Sequence, residues 1–152
     1  MSELKEGQKA PNFTAKDQDG NNVSLSQFIG KKVVLYFYPK DDTPGCTAEA
    51  CDFRDNYQGL TAKGIVVLGV SVDDEKSHQK FVTKHSLPFT LLADTDQKIV
   101  EAYGVWGEKN MYGKKYMGTH RTTFLIDETG LISHIIKKVD TKNSTAQVLE
   151  LL

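Results

Sequence analysis

The chain has 152 residues, 39% of them hydrophobic, which is enough to bury one core and too few to expect a second. Nineteen basic against twenty acidic side chains leave a net charge of −1, which removes the electrostatic case for nucleic acid or a membrane surface as partner. Residues 1 to 10 hold no apolar signal core and no stretch approaches the roughly 18 apolar residues of a membrane span, so a soluble, cytoplasmic, single-domain protein over residues 1–152 is expected.

Asp19-Gly20-Asn21-Asn22 is a turn signal between short stretches around Phe13 and Val23, and predicts a small N-terminal hairpin. Val33 to Tyr38 is nearly continuous in apolar and aromatic residues, the pattern of a strand covered on both faces. Cys46, Ala50, Phe53, Tyr57 and Leu60 then fall on one face of a single helix that Gly64 would end. Ile65 to Val72 reads as a second buried strand, and Asp73-Asp74-Glu75 suits the start of a helix running to about His85. Leu87-Pro88 breaks that helix, Phe89 to Leu92 makes a short third strand, and Gln97 to Tyr103 is helical. Residues 104 to 120, rich in Gly, Lys and Tyr, show no clear period and read as a long loop or an irregular hairpin. Two further strands, residues 121–126 and 131–136, flank Asp127-Glu128-Thr129-Gly130, and Val139 to Leu152 closes the chain as a helix. Parallel crossovers followed by an antiparallel hairpin imply an α/β protein of thioredoxin-like architecture. Its mixed central sheet has about five strands, with helices on both faces and the hairpin at the N-terminus.

Both cysteines lie in the segment Pro39-Lys40-Asp41-Asp42-Thr43-Pro44-Gly45-Cys46-Thr47-Ala48-Glu49-Ala50-Cys51, between the first buried strand and its helix. Two cysteines are too few to staple a secreted scaffold, and in a reducing compartment a close pair points to redox catalysis or metal. Cys46 stands where the helix begins, and the free N–H groups there stabilise a thiolate, the reactive form of the side chain. Five residues of helix put the two alpha carbons roughly 8.6 Å apart. A disulfide needs less than about 7 Å. Bonding the pair therefore requires the first turns to unwind, and the oxidised form is expected to be locally unfolded near residues 46 to 51.

Pro39-x-x-x-Thr43-x-x-Cys46 resembles the active-site signature of the peroxiredoxins, and the longer stretch from Phe37 to Cys51 is similar to their bacterioferritin comigratory protein branch, also called peroxiredoxin Q. The resemblance continues through Ser71-Val72-Asp73, Leu91-Leu92-Ala93-Asp94, Tyr103-Gly104-Val105-Trp106 and Arg121 to Asp127, nearly the whole chain. It implies a thiol-dependent peroxidase for hydrogen peroxide and organic hydroperoxides that uses no metal, haem or flavin. Cys46 would be the peroxidatic cysteine and pass through a sulfenic acid. Cys51 would resolve it as an intramolecular disulfide, which thioredoxin or a similar dithiol would reduce. Arg121 would set a permanent cation beside the thiolate, Thr43 would hydrogen-bond the reacting oxygen, Pro39 would shield the pocket, and Glu49 would partner the arginine. One departure is visible: Thr119-His120 precede Arg121, where the family commonly has small or aliphatic residues. His120 could tune local charge near neutral pH or point outward from the strand.

Blander readings stand beside these. A lone cysteine is often a small buried hydrophobe, and some relatives work with one cysteine, which touches Cys51 in particular. Pro39 and Pro44-Gly45 could be plain loop punctuation. Trp106, Tyr112 and Tyr116 could wall the pocket or simply pack the long loop, with packing the commoner meaning; Lys109, Lys114 and Lys115 could steer an anionic partner but read first as a solvated face, and His78, His85 and His134 as structural or surface residues. Three Asn-x-Ser/Thr triplets, at Asn12, Asn22 and Asn143, matter only in a secreted protein. The rival functions are a general thiol-disulfide oxidoreductase of the same fold and a zinc-binding module. The four residues between Cys46 and Cys51 count against the first, and the lack of a second close ligand pair against the other. Nothing in the sequence demands a dimer, so a monomer is expected.

Overall fold

The computed structural model of the protein describes residues 4–152. The chain opens with the expected hairpin, β1 (Thr14–Lys16) and β2 (Asn22–Ser24), closed by Asp17, whose Oδ1 accepts from the N–H groups of Asp19 and Asn21. A 3-10 turn over Leu25–Phe28 leads to β3 (Lys32–Phe37). Then follow α1 (Pro44–Asp55), α2 (Tyr57–Ala62), β4 (Ile65–Ser71), α3 (Glu75–His85), β5 (Thr90–Ala93) and α4 (Lys98–Ala102). The chain continues through β6 (Trp106–Met111), β7 (Lys114–Thr119), β8 (Thr122–Ile126), β9 (Ile132–Ile136) and α5 (Ser144–Leu151).

Seven strands form one mixed sheet in the order β2-β1-β5-β4-β3-β8-β9, with β3, β4 and β5 parallel. The five strands expected from the sequence are β5-β4-β3-β8-β9, and the hairpin extends that sheet by pairing Lys16 with Ala93. Alternation along β3 divides the interior into two cores. Val33, Leu35 and Phe37 face a cluster that includes Ile99, Val100 and Tyr103, in and just after α4. Val34, Tyr36 and Tyr38 face Cys46, Ala50 and Phe53 of α1, Leu60 of α2, Phe81 of α3 and Val148 of α5. At Gly69 in β4 an added Cβ would lie 2.7 Å from Leu91 Cδ2 and 2.9 Å from Tyr36 Cζ, so the close fit of ring and strand requires glycine.

Three boundaries depart from the sequence expectation. The single helix through Leu60 is two helices, because Asn56 leaves helical geometry at φ −109°, ψ 6° and its side chain takes the Asp52 carbonyl. The last helix begins at Ser144 rather than Val139. Asp140 holds a turn there, accepting from the Lys142 N–H and the Asn143 side chain. Residues 104 to 120 form a regular two-stranded hairpin, β6 with β7, in register from Trp106↔Thr119 to Met111↔Lys114. Its two turn residues, Tyr112 and Gly113, both have positive φ, the geometry whose twist matches a hairpin. Polar, exposed strands carry little hydrophobic period, which is why this element is faint in the sequence.

Candidate active site

β3 ends inside the sheet, and Tyr38 keeps one further bond to the Val70 carbonyl before the chain turns out through residues 39–43. Thr43 is extended and precedes the first turn of α1, its carbonyl accepting from the Thr47 N–H at 2.8 Å. Pro44 follows at the first helical position, where a missing N–H costs nothing. Cys46 is thus the third residue of the helix, and it is 1% exposed.

Strand pairing brings in the partner from far along the chain. β8 runs antiparallel to β3 with Thr122 opposite Phe37, so Arg121 arrives beside the end of β3, where the cysteine loop leaves the sheet. Its Nη2 donates to Cys46 Sγ at 3.2 Å and its Nη1 to Glu49 Oε1 at 2.9 Å. Glu49 is fully buried one turn along the helix, and its Oε2 accepts from the Ser144 hydroxyl at 3.1 Å. Gly45 makes room for this approach, since a Cβ there would sit 3.2 Å from Arg121 Nη2.

The electrostatics follow from burial and pairing. Burial pushes the Glu49 carboxyl above its ordinary value, and the Arg121 charge and the hydrogen bonds of Arg121 and Ser144 only partly offset it. Burial also disfavours the Arg121 cation, but Cys46 and Glu49 on either side outweigh it and hold the guanidinium above its ordinary value. The secure charge of the site is therefore the arginine, aimed at the sulfur.

The structure brings Cys46, Glu49 and Arg121 into contact. Pro39 and Thr43 are half-buried on the loop leading in, and the Thr43 hydroxyl donates to the Lys40 carbonyl at 2.8 Å. Cys51 is half-buried on the same unbroken helix, and both cysteines are free thiols. His120 is exposed, with its ring lying against Gly107 of β6. Trp106 packs against the core, whereas Tyr112 is 99% exposed at the hairpin tip and Tyr116 is exposed. Lys109 is not a plain solvated residue: its ammonium donates to the Thr119 carbonyl, and burial followed by the Arg121 charge pulls its value down.

Sequence reasoning missed the supports of the site. Ser144 and Thr145 at the start of α5 bond Glu49 and Asp52; His78 of α3, read from the sequence as structural or surface, is structural, fully buried against Asp41, a contact the sequence did not show. The spacing His78, Phe81, Val82, His85 marks the inner face of α3 and was the available signal. His134 is half-buried beside Ser133.

Among the described residues no helix is long and apolar enough to cross a membrane. The AhpC/TSA family model matches residues 6–135. Peroxiredoxin Bcp of Bacillus subtilis is 49% identical over 146 residues, covering 96% of this chain and 93% of the relative. A crystal structure of a cysteine-to-serine mutant of Xylella fastidiosa PrxQ superposes with a TM-score of 0.92 at 32% identity, covering 99% of this chain and 96% of that one. The bacterioferritin comigratory protein of Xanthomonas campestris, studied for alkyl peroxide reduction in trapped intermediate and ligand complexes, superposes at 0.85 with 36% identity, covering 91% and 89%. Sequence, fold and the meeting of a buried thiol with the arginine that precedes β8 agree, and the chain belongs to the AhpC/TSA family, within the Bcp or peroxiredoxin Q peroxiredoxins.

Proposed function

We propose that the chain is a single-domain, monomeric peroxidase in which Cys46 is the peroxidatic cysteine and Cys51 resolves it. The observation that carries this is Cys46 Sγ, almost wholly buried, with the Arg121 guanidinium 3.2 Å away. The thiolate attacks the terminal peroxide oxygen, an S–O bond forms as O–O breaks, and the leaving oxygen takes a proton and departs as water or alcohol. Arg121 stabilises the thiolate and the negative charge that grows on the departing oxygen, while Glu49 fixes the orientation of the guanidinium. Thr43 is assigned the hydrogen bond to the peroxide, for which its hydroxyl must leave the Lys40 carbonyl, and Pro39 covers the pocket.

Resolution follows once the helix unwinds. The Cys51 sulfur attacks the Cys46 sulfenic sulfur, S–S forms, and hydroxide leaves and is protonated to water. A thioredoxin-type dithiol then reduces the disulfide by exchange and is itself oxidised, which places the protein in a reducing compartment such as the cytoplasm. The burial of Cys46 favours a small peroxide over a protein disulfide as oxidant, and the arginine against its sulfur disfavours a zinc ion there.

Mass spectrometry after one equivalent of peroxide tests the assignment: a loss of two hydrogens localised to Cys46 and Cys51 is expected. Cys46→Ser should abolish peroxide-dependent NADPH consumption in a thioredoxin-coupled assay. Cys51→Ser should retain the first oxidation and block recycling. Full turnover in Cys46→Ser would refute the reading.

A further inference from the structure

The loop that delivers Cys46 is fastened to α3 by a buried cluster. The Asp41 carboxylate accepts from the Tyr38 hydroxyl at 2.6 Å, the Ser77 hydroxyl at 2.7 Å and His78 Nδ1 at 2.7 Å. The Asp41 N–H donates to Asp73 Oδ2 at 2.9 Å, and Ser71 holds that carboxylate at 2.7 Å. On its other side the His78 ring meets the Leu92 carbonyl of β5 through Nε2 at 2.9 Å. A carbonyl and a carboxylate only accept, so both ring nitrogens must donate to satisfy these contacts. His78 is fully buried, so its ring cannot turn to water for a partner, and Asp41 is nearly so. Both bonds are complete only while this pair holds its extra proton.

We propose that His78 is a positioning residue for the peroxidatic cysteine, and that its proton-dependent bond to Asp41 pins the loop before α1 and opposes the unwinding that lets Cys51 reach Cys46. The proposal rests on the assignment of those two cysteines. A second set of contacts runs the same way along α3. Lys84 and His85 bond Asp42 at 2.7 and 3.1 Å, and the His85 carbonyl accepts from Arg54 of α1 at 2.8 Å. One helix therefore grips the chain on both sides of residues 43 to 53. The surface contacts at Asp42 are worth little in water. The buried one at Asp41 is the candidate for control.

The direction of the pH effect follows from the surroundings. The titratable groups that face His78 are Tyr38 just after β3, Asp41 from the loop that follows, and Asp73 from the turn before α3. Burial alone lowers the histidine, but the hydrogen bond and charge of Asp41, the Leu92 carbonyl and Asp73 more than compensate, leaving it raised. A histidine raised in the pinned state and ordinary in the released state favours pinning fully below about pH 6.5. That preference is lost as pH climbs through the raised value.

Amide hydrogen exchange at Thr47, Ala48 and Ala50 in the reduced protein reads the opening directly, after correction for intrinsic exchange. Wild-type protection should fall between pH 6 and pH 9. His78→Leu should be about tenfold less protected at pH 6, the scale of one lost hydrogen bond to a charged group, and should respond little to pH. Asp41→Asn supplies a neutral donor to a neutral His78 and keeps an oxygen for Tyr38, so it should restore protection without the pH dependence. The same three proteins given one equivalent of peroxide should form disulfide fastest in His78→Leu. Equal protection in wild type and His78→Leu, or a pH response unchanged in Asp41→Asn, overturns the pin. Failure of wild type to form a Cys46–Cys51 disulfide overturns the assignment of the cysteines instead.

Discussion

Arg121 touches the Cys46 sulfur with one arm of its guanidinium and Glu49 with the other, at 3.2 and 2.9 Å. A lysine has a single donor head and cannot span both groups in one plane. Arg121→Lys is expected to slow single-turnover oxidation by hydrogen peroxide by about a hundredfold, the scale of losing one aimed donor at a site of developing charge. Stopped-flow measurement checks this, with circular dichroism confirming the fold.

Glu49 supplies a prediction with a sign. Its folded value is raised by burial above the unfolded one near 4.3, so the folded state holds the proton more tightly. That contribution to stability is complete below the unfolded value and is lost as pH rises through the folded value. Glu49→Gln should remove it, so wild type should lose stability relative to the variant as pH is raised above about 4. Urea midpoints across this range read the difference, and a gap that grew as pH fell would contradict the assigned direction. At pH 7 the variant should lose on the order of tenfold in peroxide reactivity, because Arg121 is no longer held square to the sulfur.

Oxidation should move only part of α1. Phe53 is fully buried and Asp52 Oδ2 accepts from the Thr145 N–H at 2.7 Å, so the unwound region is expected to stop before residue 52. Amide spectra of the reduced and oxidised forms should differ over residues 44 to 51 and agree from residue 53 onward. Superimposable spectra would show that the disulfide forms without unwinding.

Two glycines separate packing from helix propensity. Gly69→Ala puts a methyl group 2.7 Å from Leu91 Cδ2 and should destabilise the fold by about 1–3 kcal/mol. Gly59 on α2 has nothing within 4 Å of an added Cβ, and Gly59→Ala should stabilise by about 0.4–1 kcal/mol. Thermal unfolding of both variants decides the matter.

The legible parts of the chain are those where one physical rule acts alone. Val33 to Tyr38 and Ile65 to Val70 are apolar enough to be read as buried strands without a partner, and Cys46 at a helix start declares its chemistry. Arg121 was reachable through the family resemblance, since no local pattern marks a residue whose role depends on β8 lying beside β3. The break at Asn56 was invisible because a helical hydrophobic period continues across it while a single side chain competes for a carbonyl. Asp41 and His78 lie 37 positions apart, and only the sheet order brings them into contact.

The docking of α5 has a practical consequence. Its first two residues bond Glu49 and Asp52, so the final helix is the seam against which α1 is docked. A fusion partner or affinity tag attached after Leu152 would load that seam mechanically. Its first symptom should be altered peroxide kinetics in a protein that still melts normally.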